Sequence, residues 1–500
     1  MPSPKNFLII TQVFSPDPAA VGQYFDEAAQ AIAGTGASVT VLTANRGYDN
    51  PDARFAAEEN RNGIRIRRLP FSSFGKASIP VRIFAQLSFL IQCILRGLFT
   101  PKLTDLLVST SPPMAAITAV IIGFFRPKLK VHYWVMDINP DQAVILGAFS
   151  PKHPLVLALD WLNRRILKRA DNVIALDRFM AERLRAKCES GFRAKRQDRA
   201  RSEPDQVRKP ESDIEPSDLN TSPHSDSSKA GSCSHSDRNF EKITILPPWP
   251  MDDYLETVPH SENQFRKAQG WENKFVVMYS GNHSLVHPLD TILDAAEQLK
   301  DDPRFIFAFI GGGKGKQAVE DRIRKLEEGD LRPEKNSSPQ PSSLSSQVSA
   351  LKSQPSIVSL PYQPLDQIRF SLSAADLHIV SLGGNMSGIV HPCKIYGALS
   401  IGRPVLTLGP KESYLSDIIE PATPHSEFST LHSAEGQSHS AAGYAIQHGD
   451  VAGAVAALTA AADQTQQERA AMGQRAQQIA TEKFGREQLV QQFLDTILDD

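Results

Sequence analysis

The chain has 500 residues, with 54 Lys and Arg against 56 Asp and Glu, which gives a net charge of −2. This length suffices for two or three domains. The near-neutral charge excludes the global basic field that gathers nucleic acid, so we expect no nucleic-acid partner. The four cysteines form no CxxC pair. They indicate neither a disulfide framework nor a metal site, and they favour a reducing, cytoplasmic location.

The N-terminal region reads as a β-loop-α-β unit, which is typical of a doubly wound parallel sheet. Apolar runs predict strands at 7–10 and 38–42, with a helix between them. The loop before this helix should face the crevice beyond the carboxyl ends of the strands. Gly22 could let a ligand approach the backbone there. A plain helix entry is the alternative.

Residues 83–99 carry an apolar stripe at helical spacing. It predicts either a core-facing helix or a helix on a membrane surface. Arg126, Lys128 and Lys130 follow a second apolar helix and would suit an anionic bilayer, although such clusters are also common on solvated turns. Because polar residues interrupt the apolar runs, we expect no transmembrane anchor.

Two aspartates follow predicted strands. Asp137 comes directly after the strand at 131–135, where a carboxylate points into the crevice and can contact a substrate hydroxyl. Helix N-capping by Asp137 or Asp141 is the alternative. Asp177 precedes a helical pattern and is predicted to be its N-cap.

Three polar stretches interrupt the α/β pattern at 189–241, 329–355 and 421–440, and their composition predicts disordered insertions. The predicted organisation is a first Rossmann-like domain over 1–188, its last strand and a proline-rich hinge over 242–254, a second Rossmann-like domain over 255–484, and a helix over 485–500 that packs back on the body. Two such domains face each other, and the crevice between them is the default site.

The most informative stretch of the second domain runs from Ser381 to Gly402, where an apolar strand ends in a glycine-rich loop before a helix. Such turns present backbone N–H groups and a helix dipole to an anion. The loop from Gly311 to Gly315 follows another strand, but its spacing fits neither the P-loop nor the dinucleotide motif. It remains a turn that can accept a close ligand or one that requires positive φ.

The order of these sequence segments along the chain resembles that of the family-four retaining glycosyltransferases, which have the two-domain GT-B architecture. The matching pieces include FSPDPAAVGQYF, VSTSPP, VMDINPDQAVILG, ILPPWP, MYSGNHS, FAFIGGGKGK and HPCKIYGALSIGRPVLTLG. The resemblance covers nearly the whole chain apart from the insertions. It is closest to branches that build bacterial capsular, colanic-acid-like or O-antigen polysaccharide.

The chain also departs from this family. The family's second donor-site glutamate corresponds to Gly397, and its phosphate-binding Arg and Lys are replaced by Asn282, His283 and His287. The family's histidine near the reacting centre corresponds to Met136, with Asp137 beside it. Some branches write the donor stretch as Pro-x-Lys-x-Tyr, which residues 392–396 fit.

The resemblance implies a sugar transfer with retention from a nucleotide-diphosphate sugar, the co-substrate, to a lipid-linked sugar or glycan acceptor. No cofactor or metal is required. Lys394 and Asp137 are the candidate catalytic residues, although Lys394 could also be a solvated helix lysine. Gly22 and Asp137 would lie on the acceptor side. His391 is readable as a donor contact or as a packed turn. The remaining candidate donor contacts are Asn282, His283, Gly311, Gly312, Gly313, Ser387, Gly388, Ile389 and Val390.

The implied location is the cytoplasm, at the inner face of the membrane, with peripheral membrane contact. Two other functions remain open on the same architecture. The chain could be a nucleotide-sugar epimerase or hydrolase, or a nucleotide-sugar-binding protein that has lost catalysis.

Overall fold

The computed structural model describes residues 5–17, 19–47, 52–74, 79–189, 242–250, 255–330, 356–419 and 442–499. The three predicted insertions lie outside these residues, except for 189, 329 and 330, which end helices. The described parts form two sheets flanked by helices.

The first sheet has eight strands in the order β3-β4-β2-β1-β5-β6-β7-β8. All neighbours are parallel except the edge pair β3 and β4. The central strands are almost wholly apolar because helices cover both faces of the sheet. The strands are β1 Asn6–Ile10, β2 Ser38–Ala44, β3 Glu58–Arg61, β4 Ile64–Leu69, β5 Asp105–Ser109, β6 Lys130–Trp134, β7 Asn172–Ala175 and β8 Ile243–Ile245.

Helices connect these strands, and their connections place α1 on one face and α3 on the other, because the crossovers are right-handed and run in opposite directions along the sheet. Helices α2, α3 and α5 lie side by side. The helices are α1 Ala20–Gly34, α2 Ile79–Phe99, α3 Ala116–Phe125, α4 Asp141–Ile145, α5 Pro154–Arg169 and α6 at 178–189.

The second sheet has six parallel strands in the order β11-β10-β9-β12-β13-β14. They are β9 Phe275–Ser280, β10 Phe305–Ile310, β11 Ile357–Leu360, β12 Leu377–Ser381, β13 Val405–Leu408 and β14 Gly443–Ile446. The order reverses between β9 and β12, as it does between β1 and β5 in the first sheet. In such sheets ligands bind beyond the carboxyl ends of the strands at this switch point. The predicted pair of Rossmann-like domains is confirmed.

The helices of the second domain flank this sheet. They are α7 Gln264–Ala268, α8 Asp290–Gln298, α9 Lys316–Asp330, α10 Ile368–Ser373 after a 3-10 turn at Leu365–Gln367, α11 Lys394–Ser400, α12 Tyr414–Ile419, α13 Val451–Asp463 and α14 Gln466–Phe484.

The last helix, α15 (Arg486–Leu498), returns to the first domain. Its Phe493 ring lies 5.0 Å from the ring of Trp134, and Asn172 Nδ2 donates a hydrogen bond of 2.7 Å to the carbonyl of Thr496. The apolar stripe of this helix therefore finds its partner surface on the face of the first sheet that α1 also covers.

The carboxyl edges of the two sheets meet. The backbone of Asp137, just after β6, forms an isolated antiparallel bridge with Val390, in the loop after β12. Next to it, the N–H of Ile138 donates to the carbonyl of Ile389 at 2.9 Å. The crevice at the two switch points is thus formed jointly by both domains.

Helix α2 bears on two sequence-based expectations. One of its faces belongs to the core, where Phe89 and Cys93 are fully buried, while Phe84 and Ile91 on the other face are more than half exposed. The core-facing interpretation is confirmed for the first face, and contact of the second face with a membrane stays a prediction. In length and composition Pro80–Phe99 is sufficient to cross a membrane, contrary to the expectation that no segment would be.

Candidate functional site

The side chain of Lys394 lies across the backbone of Gly281 at the switch point of the second sheet. A Cβ atom on Gly281 would come within 2.6 Å of Lys394 Cε, and the φ of Gly281 is +131°. Glycine is required there because a side chain would be strained and would displace the lysine. The loop after β9 and the first residue of α11 are thereby brought together.

The ammonium group of Lys394 has no acidic partner. Among the described residues no carboxylate lies within 4.0 Å of it, and its Nζ lies 5.5 Å from the centre of the Tyr279 ring. Burial lowers the pKa of Lys394 to about 8. At pH 7 the group still carries its charge, at a desolvation cost that an anionic ligand would offset. Its desolvation favours the binding-site interpretation of Lys394 over that of a solvated helix lysine.

Two neutral histidines line the same place. Burial, with the charges of Lys316 and Lys394, lowers the pKa of His283 to about 4, and the backbone of Gly312 and Gly281 offsets only part of this. Burial and Lys394 likewise lower the pKa of His287 to about 3. His287 is held as a donor, because its Nδ1 lies 2.6 Å from the carbonyl of Ser381.

The glycine loop after β10 packs on the loop after β9. A Cβ on Gly311 would meet the carbonyl oxygen of Gly281 at 2.0 Å, and one on Gly313 would meet Asn282 Oδ1 at the same distance. A Cβ on Gly312 would lie 2.8 Å from the Tyr362 ring. The chain's own contacts thus account for the three glycines, and their predicted role towards a nucleotide stays a prediction.

The loop Ser387–Val390 fits the predicted anion cradle only in part. The N–H groups of Ile389 and Val390 both donate to the carbonyl of Met386, at 2.9 and 3.3 Å. Gly388, with φ of +70°, is pressed against the backbone of Phe179 in α6. The N–H groups of Ile389 and Val390 are therefore already used within the turn, and the predicted role of Ser387 and Gly388 towards an anion stays a prediction.

Other contacts of this loop reach the first domain as well. Arg183 Nε donates to the carbonyl of Ser387 at 2.7 Å. Arg178 is paired with Asp417, the two charged groups being 2.6 Å apart. Helix α6 is therefore clamped between the loop and α12.

His391 belongs to a packed turn and not to an exposed binding surface. Its Nδ1 lies 2.9 Å from Asp177 Oδ2, and its Nε2 lies 2.8 Å from the hydroxyl of Tyr396. That hydroxyl is bonded in turn to the hydroxyl of Tyr414. Asp177 also caps α6, since its Oδ1 accepts from the N–H of Met180 at 2.8 Å, which confirms the predicted cap. One buried hydrogen-bond chain thus joins the two domains.

Asp137 lies at the boundary between the domains. Desolvation raises its pKa from 3.8 to about 6. Its charge also contributes, after burial, to raising the pKa of the Cys393 thiol to about 11, so the carboxylate is near the residue that precedes Lys394. It does not cap a helix: α4 has Pro140 at its N-cap and no side-chain cap, and Asp141 pairs with Lys187.

Gly22 is close to its own chain. A Cβ there would lie 3.1 Å from the Cα and N of Phe14 and from Val13 Cγ1. The close approach that glycine permits is thus made by the preceding loop, which favours the helix-entry interpretation over a ligand contact.

The assembled site is a desolvated cation beside two neutral imidazoles and a polar amide, Asn282. Within the described ranges, no group of three His, Cys, Asp or Glu side chains is arranged to hold a metal. Such an arrangement can bind an anion and stabilise negative charge that develops on it. Sequence reasoning missed the roles of Gly281 and of Asp177 as the partner of His391. A positive-φ glycine after a strand was the available signal for the first, and nothing local signalled the second.

Residues 19–198 match the family described as "Glycosyl transferase 4-like domain". For these residues the match confirms the resemblance to family-four glycosyltransferases that was inferred from the sequence. The chain is 25% identical over 178 residues to WbjE of Pseudomonas aeruginosa, named as a glycosyltransferase, which is 36% of this chain and 38% of that protein. It is 26% identical over 164 residues to the WcaI protein of Escherichia coli K12, named for colanic acid biosynthesis, covering 32% of this chain and 34% of that one. The aligned region spans little more than a third of these relatives.

Solved structures match over nearly the whole chain. The Anabaena HepE protein in complex with UDP and glucose has a TM-score of 0.59 at 15% identity, covering 99% of this chain and 100% of that one. Sucrose-phosphate synthase from Thermosynechococcus elongatus has a TM-score of 0.59 at 12% identity, covering 98% and 97%. At these identities the likeness shows the fold, which is GT-B.

Proposed function

We propose that this chain, whose residues 19–198 match the glycosyl transferase 4-like family and whose fold is GT-B, is a retaining glycosyltransferase of hexosyltransferase type. It takes a sugar from a nucleotide-diphosphate donor and passes it to a lipid-linked sugar or glycan in the synthesis of cell-surface polysaccharide. The names of WbjE and WcaI support this class of pathway, and the UDP bound by HepE supports the donor class.

The observation that carries the proposal is the desolvated ammonium of Lys394 at the switch point of the second sheet, which has no acidic partner within the part of the chain that the structure describes. A diphosphate is the anion that the transfer releases. Since Lys394 is already desolvated, its attraction to a departing diphosphate is much stronger than it would be in water. We assign Lys394 to the diphosphate, with Asn282 and His283 as further polar contacts.

The chemistry needs little else from the protein. The bond between the anomeric carbon and the diphosphate oxygen breaks, and a bond to the acceptor hydroxyl oxygen forms on the same face. The acceptor proton moves to the departing diphosphate. Lys394 stabilises the charge that this oxygen gains, and Asp137, on the first-domain side, orients the acceptor hydroxyl. We propose no resident cofactor, and we place the reaction in the cytoplasm, where such donors are made.

The test is a panel of nucleotide-diphosphate sugars. A bound donor should raise the melting temperature by mass action. The donor that does so is then incubated with and without lipid-linked sugar, and the anomeric configuration of the product is read by NMR. Transfer that requires the acceptor and keeps the donor's configuration supports the proposal.

The matched variants are Lys394→Met, which keeps the aliphatic chain across Gly281, and Lys267→Ala, an exposed lysine of α7 in the same domain. We expect Lys394→Met to lower turnover by about 10²–10³-fold, with a melting temperature equal to or above that of wild type because a desolvated charge is removed, and Lys267→Ala to leave both unchanged. Equal turnover in wild type and Lys394→Met would remove the lysine from the mechanism. Donor consumption without acceptor would identify an epimerase or hydrolase, and tight binding without turnover would identify a binding protein.

A further inference from the structure

The outer surface of α2 and the end of α3 form one exposed apolar face. On α2 it consists of Ile83, Phe84, Leu87, Ile91 and Leu95, each 47–58% exposed, and Phe99, which is 81% exposed. On α3, which packs beside α2, it consists of Phe124 and Phe125, at 77% and 64%. Most of these positions recur at intervals of three or four residues, so they share one side of the helix.

The exposure of large apolar side chains is confined almost wholly to the first domain. Of the 19 such side chains that are exposed among the described residues, 16 lie between Phe71 and Trp161, and only Leu285, Tyr362 and Leu365 lie elsewhere. A soluble surface scatters such residues, whereas a contiguous patch marks an interaction site.

The opposite side of α2 holds the helix on the protein. Phe89 and Cys93 are fully buried, and a Cβ on Gly97 would meet Ile122 Cδ1 of α3 at 2.4 Å. Arg126 fixes the end of the helix by donating to the carbonyls of Leu98 and Thr100. Because one face is part of the domain core, α2 lies flat on the body with its apolar face outward.

Positive charge prevails in this region. From Ile79 to Met136 the sequence contains six Lys and Arg residues and a single acid, Asp105. Asp105 is 1% exposed and bonded to His132, so it adds no negative charge to the surface. The predicted basic cluster is partly used inside the protein, since Arg126 caps α2 and Lys130 donates to the carbonyl of Asp499. Arg82, Lys102 and Lys128 remain exposed around the apolar face.

We propose that this apolar face docks on an anionic phospholipid bilayer, with α2 lying in the plane of the interface. Half-exposed Leu, Ile and Phe side chains enter the boundary between headgroups and acyl chains, and the surrounding cations meet the lipid phosphates. A second copy of the same face is a poorer occupant, because it would bring like charges together.

This arrangement also orients the cleft. A crossover helix runs antiparallel to the strands of a parallel sheet, so α2 begins at the carboxyl edge where the domains meet. Ile145, Leu146 and Phe149, which follow β6 at that edge, are 37–40% exposed. The membrane-facing surface therefore reaches the rim of the crevice.

The test is a flotation assay of the full chain at low and high salt. The vesicles contain either phosphatidylcholine alone or phosphatidylcholine with about 30% phosphatidylglycerol, which supplies the anionic charge. The variant Phe84→Gln/Leu87→Gln/Ile91→Gln keeps helix-forming side chains and removes only the outward apolar surface. We expect roughly tenfold or greater loss of binding. Leu365→Gln, an equally exposed leucine in the other domain, should bind as wild type does. The reversal Arg82→Glu/Lys128→Glu should abolish the preference for anionic vesicles.

Circular dichroism melts distinguish unfolding from lost binding, and the triple variant should melt as wild type does. Wild-type protein that stays with neither vesicle would overturn the proposal. A wild-type dimer in sedimentation experiments that the triple substitution disrupts would also overturn it. Membrane binding that resists extraction with alkaline carbonate would do the same, because it would indicate a helix that spans the membrane. The measurement needs no sugar transfer, so it stands or falls separately from the proposed activity.

Discussion

One short segment of the second domain contains two parts that differ in whether their polar groups have partners inside the protein. These parts are Ser387–His391 and Lys394. In the first part several groups have partners inside the protein: the carbonyl of Met386 accepts from the N–H groups of Ile389 and Val390, Arg183 donates to the carbonyl of Ser387, and Asp177 bonds the imidazole of His391. The Ser387 hydroxyl is buried without a partner among the described residues. Three residues later, Lys394 carries a charge with no acidic partner among the described residues. The two parts are separated only by Pro392 and Cys393.

This difference indicates which residues of the segment maintain the structure and which bind a ligand. Buried polar groups that are fully satisfied fix a conformation, whereas a desolvated, unpaired charge is costly and persists where a ligand completes it. On this basis Ser387–His391 positions the domains, and Lys394 meets the ligand. The predictions below break each part in turn.

Removing the buried carboxylate of Asp177 should have the largest effect on stability. Asp177→Ala deletes the cap of α6 and leaves His391 buried without its partner, which together cost roughly 2–4 kcal/mol. The free energy of unfolding, from urea titration, measures this loss.

The matched control is Asp450→Ala, because Asp450 caps α13 with an equivalent bond of 2.8 Å to the N–H of Gly453 but pairs with no histidine. It should cost only about 1 kcal/mol. Equal losses in the two variants would mean that the bond between Asp177 and His391 contributes nothing.

A smaller effect, opposite in sign, is expected for Asp137→Asn. Burial raises the pKa of Asp137 from 3.8 to about 6, so the folded state loses stability as the pH rises through this interval, and the loss persists above it. The amide avoids this cost. We expect a melting temperature about 2–4 °C higher than that of wild type at pH 8, with no difference below pH 3.8.

The same substitution should reduce transfer to the acceptor, since functional carboxylates are often held at the expense of stability. If the variant has a higher melting temperature and full transfer activity, Asp137 has no role in the reaction. A variant with the melting temperature of wild type at every pH would show that the carboxylate is well solvated.

Much of the fold could be predicted from the sequence because continuous apolar runs mark strands covered on both faces. The strands predicted at 7–10, 38–42 and 131–135 are β1 Asn6–Ile10, β2 Ser38–Ala44 and β6 Lys130–Trp134, within one or two residues at each end. The pattern did not identify β3, whose sequence EENR is charged because it lies at the edge of the sheet. It also did not identify α5, which exposes Leu157 and Trp161 and so lacks a clean apolar stripe.

The candidate site was less predictable because its contacts join distant parts of the chain. Asp177 and His391 are 214 residues apart, and no local pattern indicates such a bond. The N–H groups of Ile389 and Val390 look free in the sequence, and only the folded turn shows that both donate to the carbonyl of Met386. Lys394 was identified by its motif, yet its lack of an acidic partner and its position across Gly281 depend on the packing of three loops.

The most direct test of Lys394 as the diphosphate contact is proton uptake on binding. With a pKa of about 8, Lys394 of the unliganded protein is half protonated at pH 8. A bound diphosphate raises this pKa, so binding should take up about half a proton. Calorimetric titration with the nucleoside diphosphate of the preferred donor, in buffers of different ionisation enthalpy, measures this number. The account predicts about half a proton for wild type and none for Lys394→Met. Equal uptake by both proteins would contradict it.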